Sequence, residues 1–335
     1  MLPRYRTADA ALPNTLALGY TLLGYPLGVA LLLGAAPWQN ALGVLLTAHT
    51  LVYAAYLLHE FAHGAIFRAV ADNHRGGVLM SWVTGACYAP FAALRHKHMR
   101  HHVDRADVLT LDYHAVLARA PRWVYRLVLA LEWAWIPAVE FIMHGYVMLL
   151  PFLREERRGD RPRVLAVLAV RGAAFTALAL ARPAALPLYA LAYLLMLHVL
   201  RFGDAYQHTY DGFAVLESGE IPQDKLRDRA YEQMNTYSNL LSVAHPWLNL
   251  LMLNFTYHNA HHEKPTVPWY ALPRLHAALF PAEYRQVLPF RALLRGYHRD
   301  RLRRITSPDY GEVGEGPDRA ARFVGAVGVS FLTAV

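Results

Sequence analysis

Histidines are grouped in this sequence at spacings that metal sites use. Three groups stand out: His59-Glu60-Phe61-Ala62-His63, His98-Met99-Arg100-His101-His102 and His258-Asn259-Ala260-His261-His262. A fourth, shorter group pairs Asp204 with His208. On a helix, residues at positions i, i+3 and i+4 project from one face. Each group therefore predicts metal-binding side chains gathered on one side of its helix.

Together the four groups offer nine imidazoles and one carboxylate. A single tetrahedral zinc ion takes three or four ligands, so nine imidazoles predict two metal ions with histidine-rich shells. Imidazole suits zinc, copper, iron and nickel, and the ligand type alone does not name the metal. Asp204 could equally cap a helix end or pair with Arg201. Histidines outside the groups, such as His49, His96 and His144, are expected to be core or surface residues.

The first group also matches the zinc-protease motif His-Glu-x-x-His, in which the glutamate is the general base. In that interpretation His59, His63 and a distant third ligand bind one zinc ion, and Glu60 activates a water molecule. The motif leaves the two His-x-x-His-His groups unexplained. An intramembrane zinc protease, and a metal transporter or receptor without catalytic activity, stay open as alternatives.

The elements that must position these groups are membrane-spanning helices. Of the 335 residues, 55% are hydrophobic and only 17% are charged, against roughly a quarter charged in soluble domains. Crossing a bilayer takes about 20 apolar residues, and four stretches qualify: 16–36, 41–58, 164–181 and 184–202. Short turns at 37–40 and 182–183 join them into two hairpins. The predicted fold class is an all-α integral membrane protein with four transmembrane helices.

Positive charge is concentrated away from those two turns. The 33 Lys and Arg residues include basic runs at 154–163 and 291–304, whereas the turns hold only Arg182. The positive-inside rule then places both ends of the chain and the large loops in the cytoplasm. All four histidine groups fall on that side, in a predicted cytoplasmic helical cap. The apolar segments 78–94 and 125–152 are expected to lie at the membrane interface.

Composition and motifs exclude several other classes of protein. One cysteine, Cys87, cannot form an internal disulfide or a thiolate metal site alone. The sequence has no Gly-rich phosphate loop, and its basic residues lack the aromatic interleaving of a nucleic-acid surface. The net charge of +8 instead favours an anionic membrane leaflet or an acidic protein partner.

Three histidine boxes in this order on a membrane chain resemble the membrane fatty acid desaturase and hydroxylase superfamily. The boxes stand here as HEFAH, HMRHH and HNAHH, and the resemblance covers about residues 59–275. It implies a four-span fold with a cytoplasmic cap, a non-haem centre of two iron ions and dioxygen as co-substrate. The chain then divides into a diiron desaturase-like membrane domain, residues 1–275, and a cytoplasmic C-terminal extension, residues 276–335.

The resemblance also implies the iron ligands. Eight box histidines carry over as ligands: His59, His63, His98, His101, His102, His258, His261 and His262. In acyl-CoA desaturase relatives a further histidine follows the fourth span, and an asparagine four residues earlier holds a water on iron. His208 and Asp204 occupy those two positions, and the aspartate departs from the family pattern.

The activity implied is the dioxygen-dependent oxidation of an unactivated C–H bond in a long acyl chain. Desaturation is the first interpretation. A hydroxylase, a carotenoid-type oxygenase and a terminal-alkene-forming fatty acid decarboxylase share this chemistry and stay open. The acyl group would be a free acid, a CoA or acyl-carrier-protein thioester, or part of a lipid. A separate electron donor, such as ferredoxin or rubredoxin with its reductase, is expected, because no such domain is present in the sequence.

Overall fold

A computed structural model describes residues 4–216, 220–281, 284–316, 318–328 and 331–335. The chain is mostly helical, and its α-helices are α1 (Ala11–Leu32), α2 (Pro37–Ala62), α3 (Val70–Thr84), α4 (Phe91–Asp104), α5 (Tyr113–Arg119), α6 (Arg122–Trp133), α7 (Ala138–Leu153), α8 (Arg161–Ala181), α9 (Ala185–Ala205), α10 (Arg229–Met234), α11 (His258–Glu263), α12 (Leu272–Leu279), α13 (Phe290–Arg299) and α14 (Arg303–Thr306). Two compact units are formed. Unit 1 comprises Met1–Ala93 and Gly145–Val199, and unit 2 comprises Leu94–His144 and Leu200–Val335.

Four helical segments among the described residues are long and apolar enough to cross a membrane. They are Ala8–Leu32, Pro37–Ala62, Glu155–Ala181 and Ala185–Ala205, which confirms the four predicted spans. The second span begins earlier than expected, because Pro37 occupies the first helical position, where its fixed φ suits the helix. Residues 37–40 are therefore the first turn of α2. The hairpin arrangement and the cytoplasmic cap stay predictions.

Helices α1 and α2 of unit 1 approach each other closely at Gly28. A Cβ atom at this position would lie 2.5 Å from Oγ1 of Thr47 and 2.8 Å from its backbone nitrogen, so glycine is required here. Arg182, between α8 and α9, donates from Nη1 to the Leu32 carbonyl at 2.8 Å and to Oδ1 of Asn40 at 3.0 Å. These bonds tie the connection between α8 and α9 to the end of α1 and the start of α2.

The third span carries a charged residue, Arg171, whose partners also lie in unit 1. Its Nη1 donates to the carbonyl of Trp82 at 3.0 Å, and its guanidinium lies 5.3 Å from the ring centroid of Phe175. A carbonyl and an aromatic face both compensate a cation that is partly removed from water. The charge inside this apolar helix is therefore accommodated by packing.

The core of unit 2 combines aromatic rings with a buried ion cluster. Phe202, Tyr297 and Phe323 belong to one aromatic-rich core cluster. Beside them, Arg201 lies 3.0 Å from Glu132 Oε2 and 3.8 Å from Glu140 Oε1, and all three side chains are buried. The two acidic residues of the apolar segment 125–152 thus have a cation as partner, as buried charges require.

A small parallel sheet departs from the all-α expectation. Strand β1 (Asp107–Leu109) pairs with β2 (Phe213–Val215), and the Asp107 amide donates to the Gly212 carbonyl at 3.0 Å. Three-residue strands are too short for a periodic pattern, and nothing local in the sequence encodes a pairing across a long intervening chain. The sheet holds the residues after α4 beside the residues that follow His208.

Residues beyond 276 contribute to the core of unit 2. Leu293, Phe323 and Val324 are fully buried, and Arg304 donates from Nε to the Val324 carbonyl at 3.0 Å. The predicted domain boundary between residues 275 and 276 stays a prediction.

Candidate metal centre

Seven of the nine predicted imidazoles lie in unit 2, in two adjoining sets. The His208 set comprises His101, His208, His258 and His262, and the His261 set comprises His98, His102 and His261. Within each set the donor nitrogens lie within 4.8 Å of one another. The sets adjoin because the rings of His102 and His262 have centroids only 4.3 Å apart.

Two helices and one extended segment position these imidazoles. Helix α4 presents His98, His101 and His102, and α11 presents His258, His261 and His262, each at the predicted spacing. Helix α9 ends at Ala205, so His208 lies beyond the helix and helical spacing does not relate it to Asp204. A β-bridge between His208 and Thr236 holds His208 instead. The prediction of a shared helical face was wrong for this pair.

The nitrogens face one another at distances that suit shared metal ions. In the His208 set, Nε2 of His208 lies 3.1 Å from Nε2 of His101 and 2.8 Å from Nε2 of His258. In the His261 set, Nε2 of His102 lies 3.2 Å from the Nε2 atoms of both His98 and His261. Two nitrogens bound at about 2.1 Å to one ion are roughly 3.0–3.4 Å apart. The residues present therefore fit a metal in each set.

Two outward nitrogens of the His208 set, those of His262 and His101, have hydrogen-bond partners that fix the ring orientation. Nδ1 of His262 lies 2.8 Å from Oε1 of Glu232, and Nδ1 of His101 donates to the Ala106 carbonyl at 2.9 Å. In turn, Nε of Arg105 donates to Oε2 of Glu232 at 3.3 Å. A ligating imidazole commonly donates its second N–H to a carboxylate or carbonyl, which leaves Nε2 for the metal.

Burial keeps these imidazoles in the form that binds metals. Desolvation lowers the pKa of His101 and of His262 to about 3, from the ordinary value of 6.5. The same cause lowers the pKa values of His208, His258 and His261 well below that value. A metal binds neutral imidazole, so the cluster needs no deprotonation at neutral pH.

A cavity of about 40 Å³ lies beside the histidines in unit 2. The space is large enough for water-sized molecules or a short hydrocarbon segment. Four histidines line it together with three apolar residues, Val108, Phe255 and Phe331, and four polar residues, Lys97, Asp107, Asp204 and Gln207. Burial lowers the pKa of Lys97 to about 8 and raises the pKa of Asp107 to about 8.

Asp204 lies at the cavity rather than among the imidazole nitrogens. Its carboxylate belongs to none of the close donor groups found in the described parts of the chain. Oδ2 of Asp204 is buried and accepts no hydrogen bond from the described residues. The carboxylate therefore faces the cavity with an unused acceptor atom.

The remaining two predicted ligands, His59 and His63, lie in unit 1 at the end of α2. Helix α2 ends at Ala62, their ring centroids are 4.6 Å apart, and both residues are buried. Glu60 is also buried, with Oε1 3.6 Å from Nδ1 of His59. The imidazoles of the first box are thus adjacent, as their spacing predicts.

Sequence reasoning missed several residues of this site. Glu232 and Phe331 carry no motif, and each is far in sequence from every histidine that it contacts. His96 is exposed on α4, as expected, and Nδ1 of His144 donates to the Glu140 carbonyl of its own helix at 2.8 Å. The signal that the sequence does contain is the apolar character of residues 323–335, which indicates a buried segment.

Comparison with known proteins agrees with the arrangement of the histidines. The profile of the fatty acid desaturase family matches residues 36–293. None of the curated proteins matches the chain. The family match gives no support to the protease interpretation of HEFAH. It covers more than half of the sequence and all three histidine boxes, and the chain therefore belongs to the fatty acid desaturase family.

Proposed function

We propose that this chain is a multi-pass membrane oxidoreductase that binds two iron ions and desaturates a long acyl chain with dioxygen as the oxidant. The observation that carries the proposal is the His208 set, in which imidazoles from three separate segments turn their Nε2 atoms toward one another. Family membership and four apolar helices support an acyl substrate and a membrane location.

The proposed ligand assignment uses all nine imidazoles. One iron ion belongs to the His208 set and the other to the His261 set, and His59 and His63 of the first box are proposed as further iron ligands, as the family pattern implies. The adjacency and burial of His59 and His63 support this assignment. Asp204 is the tenth residue of the proposed site, and its unused acceptor atom would bind a molecule in the cavity.

When bound, the iron pair supplies the activation of dioxygen that oxidises an unactivated C–H bond. In a desaturation, the substrate gives up two hydrogen atoms and gains a C=C bond, and two electrons and two protons from outside complete the reduction of dioxygen to two waters. A separate donor such as ferredoxin or rubredoxin, with its reductase, would provide the electrons. Val108, Phe255 and Phe331 would exclude bulk water and contact the hydrocarbon.

Charge distribution supports a location and a class of head group. The positive-inside rule places the basic loops, and with them the metal centre, on the cytoplasmic side of the inner membrane. The net charge of +8 favours an anionic substrate carrier, such as a free carboxylate, a CoA or an acyl carrier protein, and an acidic electron donor.

The proposal is tested by measuring metal content and product together. The chain is purified from membranes, its iron and zinc are quantified, and it is supplied with a reducing system, an acyl substrate and dioxygen labelled with heavy oxygen. We expect about two irons per chain, because the nine proposed imidazole ligands are more than a single ion binds. We also expect an internal alkene that contains no heavy oxygen.

Other outcomes identify the other interpretations. An alcohol that carries one heavy oxygen atom indicates hydroxylation, and a terminal alkene one carbon shorter indicates decarboxylation. About one zinc and no iron, with proteolysis that Glu60→Gln abolishes, would replace the proposal by a zinc protease. His258→Ala, which removes a ligand of the His208 set, is the inactive control for the oxidative reaction.

A further inference from the structure

Residues at the end of the described chain lie against the metal centre in unit 2. The segment Phe331–Val335, called here the 331–335 segment, lies outside the residues matched by the family. The ring centroid of Phe331 is 6.3 Å from that of His98 and 6.5 Å from that of Phe255. Phe331 is almost fully buried and lines the cavity beside the histidines. The segment is therefore part of the cavity wall.

Hydrogen bonds tie the same segment to the helix that carries the second histidine box. Nζ of Lys97 donates to the Thr333 carbonyl at 3.0 Å and to Oγ1 of Thr110 at 3.0 Å. Oγ1 of Thr110 also donates to the Thr333 carbonyl at 2.8 Å. All three residues are at most 2% exposed. We call this arrangement the Lys97 clamp.

The clamp explains why the 331–335 segment stays at this place. A buried ammonium needs hydrogen-bond acceptors, and a backbone carbonyl of the segment supplies one of them. Lys97 precedes His98 directly on α4. The position of Phe331 is thus coupled to the position of the second box.

We propose that Phe331 is a positioning residue that sets the space for the hydrocarbon beside His98, and that the Lys97 clamp holds it in place. The part concerning the hydrocarbon rests on the proposed function. Phe331 lines the cavity, so removal of the phenyl ring would enlarge it. An acyl segment could then bind in several registers. Because binding geometry decides which C–H bond is attacked, several double-bond positions would result.

The clamp is tested without metal or substrate by lysine acetylation. The chain has three lysines, and Lys225 and Lys264 serve as internal controls because neither is buried. The folded, full-length protein is treated with acetic anhydride, and mass spectrometry measures acetylation at each lysine. We expect Lys97 to react at least tenfold more slowly than Lys264, and deletion of residues 331–335 to bring Lys97 to the rate of Lys264.

If the deletion variant fails to fold, Thr110→Val replaces it, because it removes one acceptor of Lys97 and keeps the size of the side chain. This variant should raise acetylation of Lys97 at least threefold and leave both control lysines unchanged. Equal reactivity of Lys97 and Lys264 in the unaltered protein, or no change in either variant, would overturn the clamp.

The positioning role is tested with Phe331→Ala and the more conservative Phe331→Leu. We expect unchanged iron content in both variants and, in the alanine variant, a mixture of double-bond positions with a KM raised at least fivefold. The leucine variant should restore most of the original product. Original product positions and KM in the alanine variant would overturn the role of Phe331. If no oxidation occurs even in the unaltered protein, the proposed function fails, while the acetylation result still decides whether the clamp exists.

Discussion

Oε1 of Glu232 lies 2.8 Å from Nδ1 of His262, at the outer side of the His208 set. The carboxylate is buried and is itself held by Arg105. Burial raises the pKa of Glu232, and the nearby Arg105 guanidinium opposes that rise. Glu232 thereby fixes the orientation of an imidazole whose Nε2 faces the other nitrogens of the set.

Replacement of Glu232 by glutamine should weaken metal binding without removing a ligand. Loss of such an outer partner typically costs 10–100-fold in metal affinity, and we expect a loss in that range for iron. The measurement is a titration of iron into metal-free protein with a competing chelator. Glu315→Gln is the matched control, because Glu315 is an exposed carboxylate paired with Arg285. Equal affinities in the two variants would show that Glu232 has no influence on the metal.

The two histidine sets predict separable losses of iron. His101→Ala should empty the His208 set, and His261→Ala should empty the other set, so that each variant retains about one of two ions. His96→Ala, an exposed residue on the same helix as His101, should retain both. Iron per chain is measured on protein whose helical content by circular dichroism matches that of the unaltered chain. Full iron in His101→Ala would remove that residue from the site.

Asp204→Asn distinguishes a cavity residue from a ligand. Because the carboxylate lies outside the close donor groups, we expect the variant to retain both iron ions. Turnover should fall but remain measurable, since an amide oxygen still accepts a hydrogen bond. Loss of one iron ion would instead identify Asp204 as a direct ligand, and unchanged turnover would make it a bystander.

The buried ion cluster of unit 2 predicts a large effect on stability. Glu132→Gln leaves Arg201 with one weaker carboxylate partner, and breaking a buried pair costs about 3–5 kcal/mol. The free energy of unfolding in detergent is the measurement. Glu155→Gln is the control, because its pair with Arg158 is exposed and should contribute less than about 1 kcal/mol. Similar losses in both variants would contradict the special role of the buried cluster.

Local patterns in the sequence were sufficient to predict the spans and the histidine faces. Apolar length marks a membrane helix wherever it occurs, and i, i+3, i+4 spacing fixes a face on any helix, as α4 and α11 show. Both signals act within about one helix length. They therefore predict which residues share a side of an element.

The contacts that complete the site depend on residues far apart in the sequence. Glu232 reaches His262, and Thr333 reaches Lys97, through packing that no periodic pattern encodes. The end of α9 at Ala205 was not predicted either. The four-residue spacing of Asp204 and His208 suggested that the helix continues to His208. The β1–β2 pairing has the same origin, since it joins two short segments separated by a long stretch of chain.

The three-segment origin of the His208 set has a consequence for biogenesis. A nascent chain that has been synthesised up to Tyr257 carries His101 and His208 but neither His258 nor His262. Two imidazoles hold an ion far more weakly than four, so iron captured on the ribosome would be released again. Under the proposed function, loading of this ion would therefore follow the synthesis of α11, which comes after all four apolar helices in the chain.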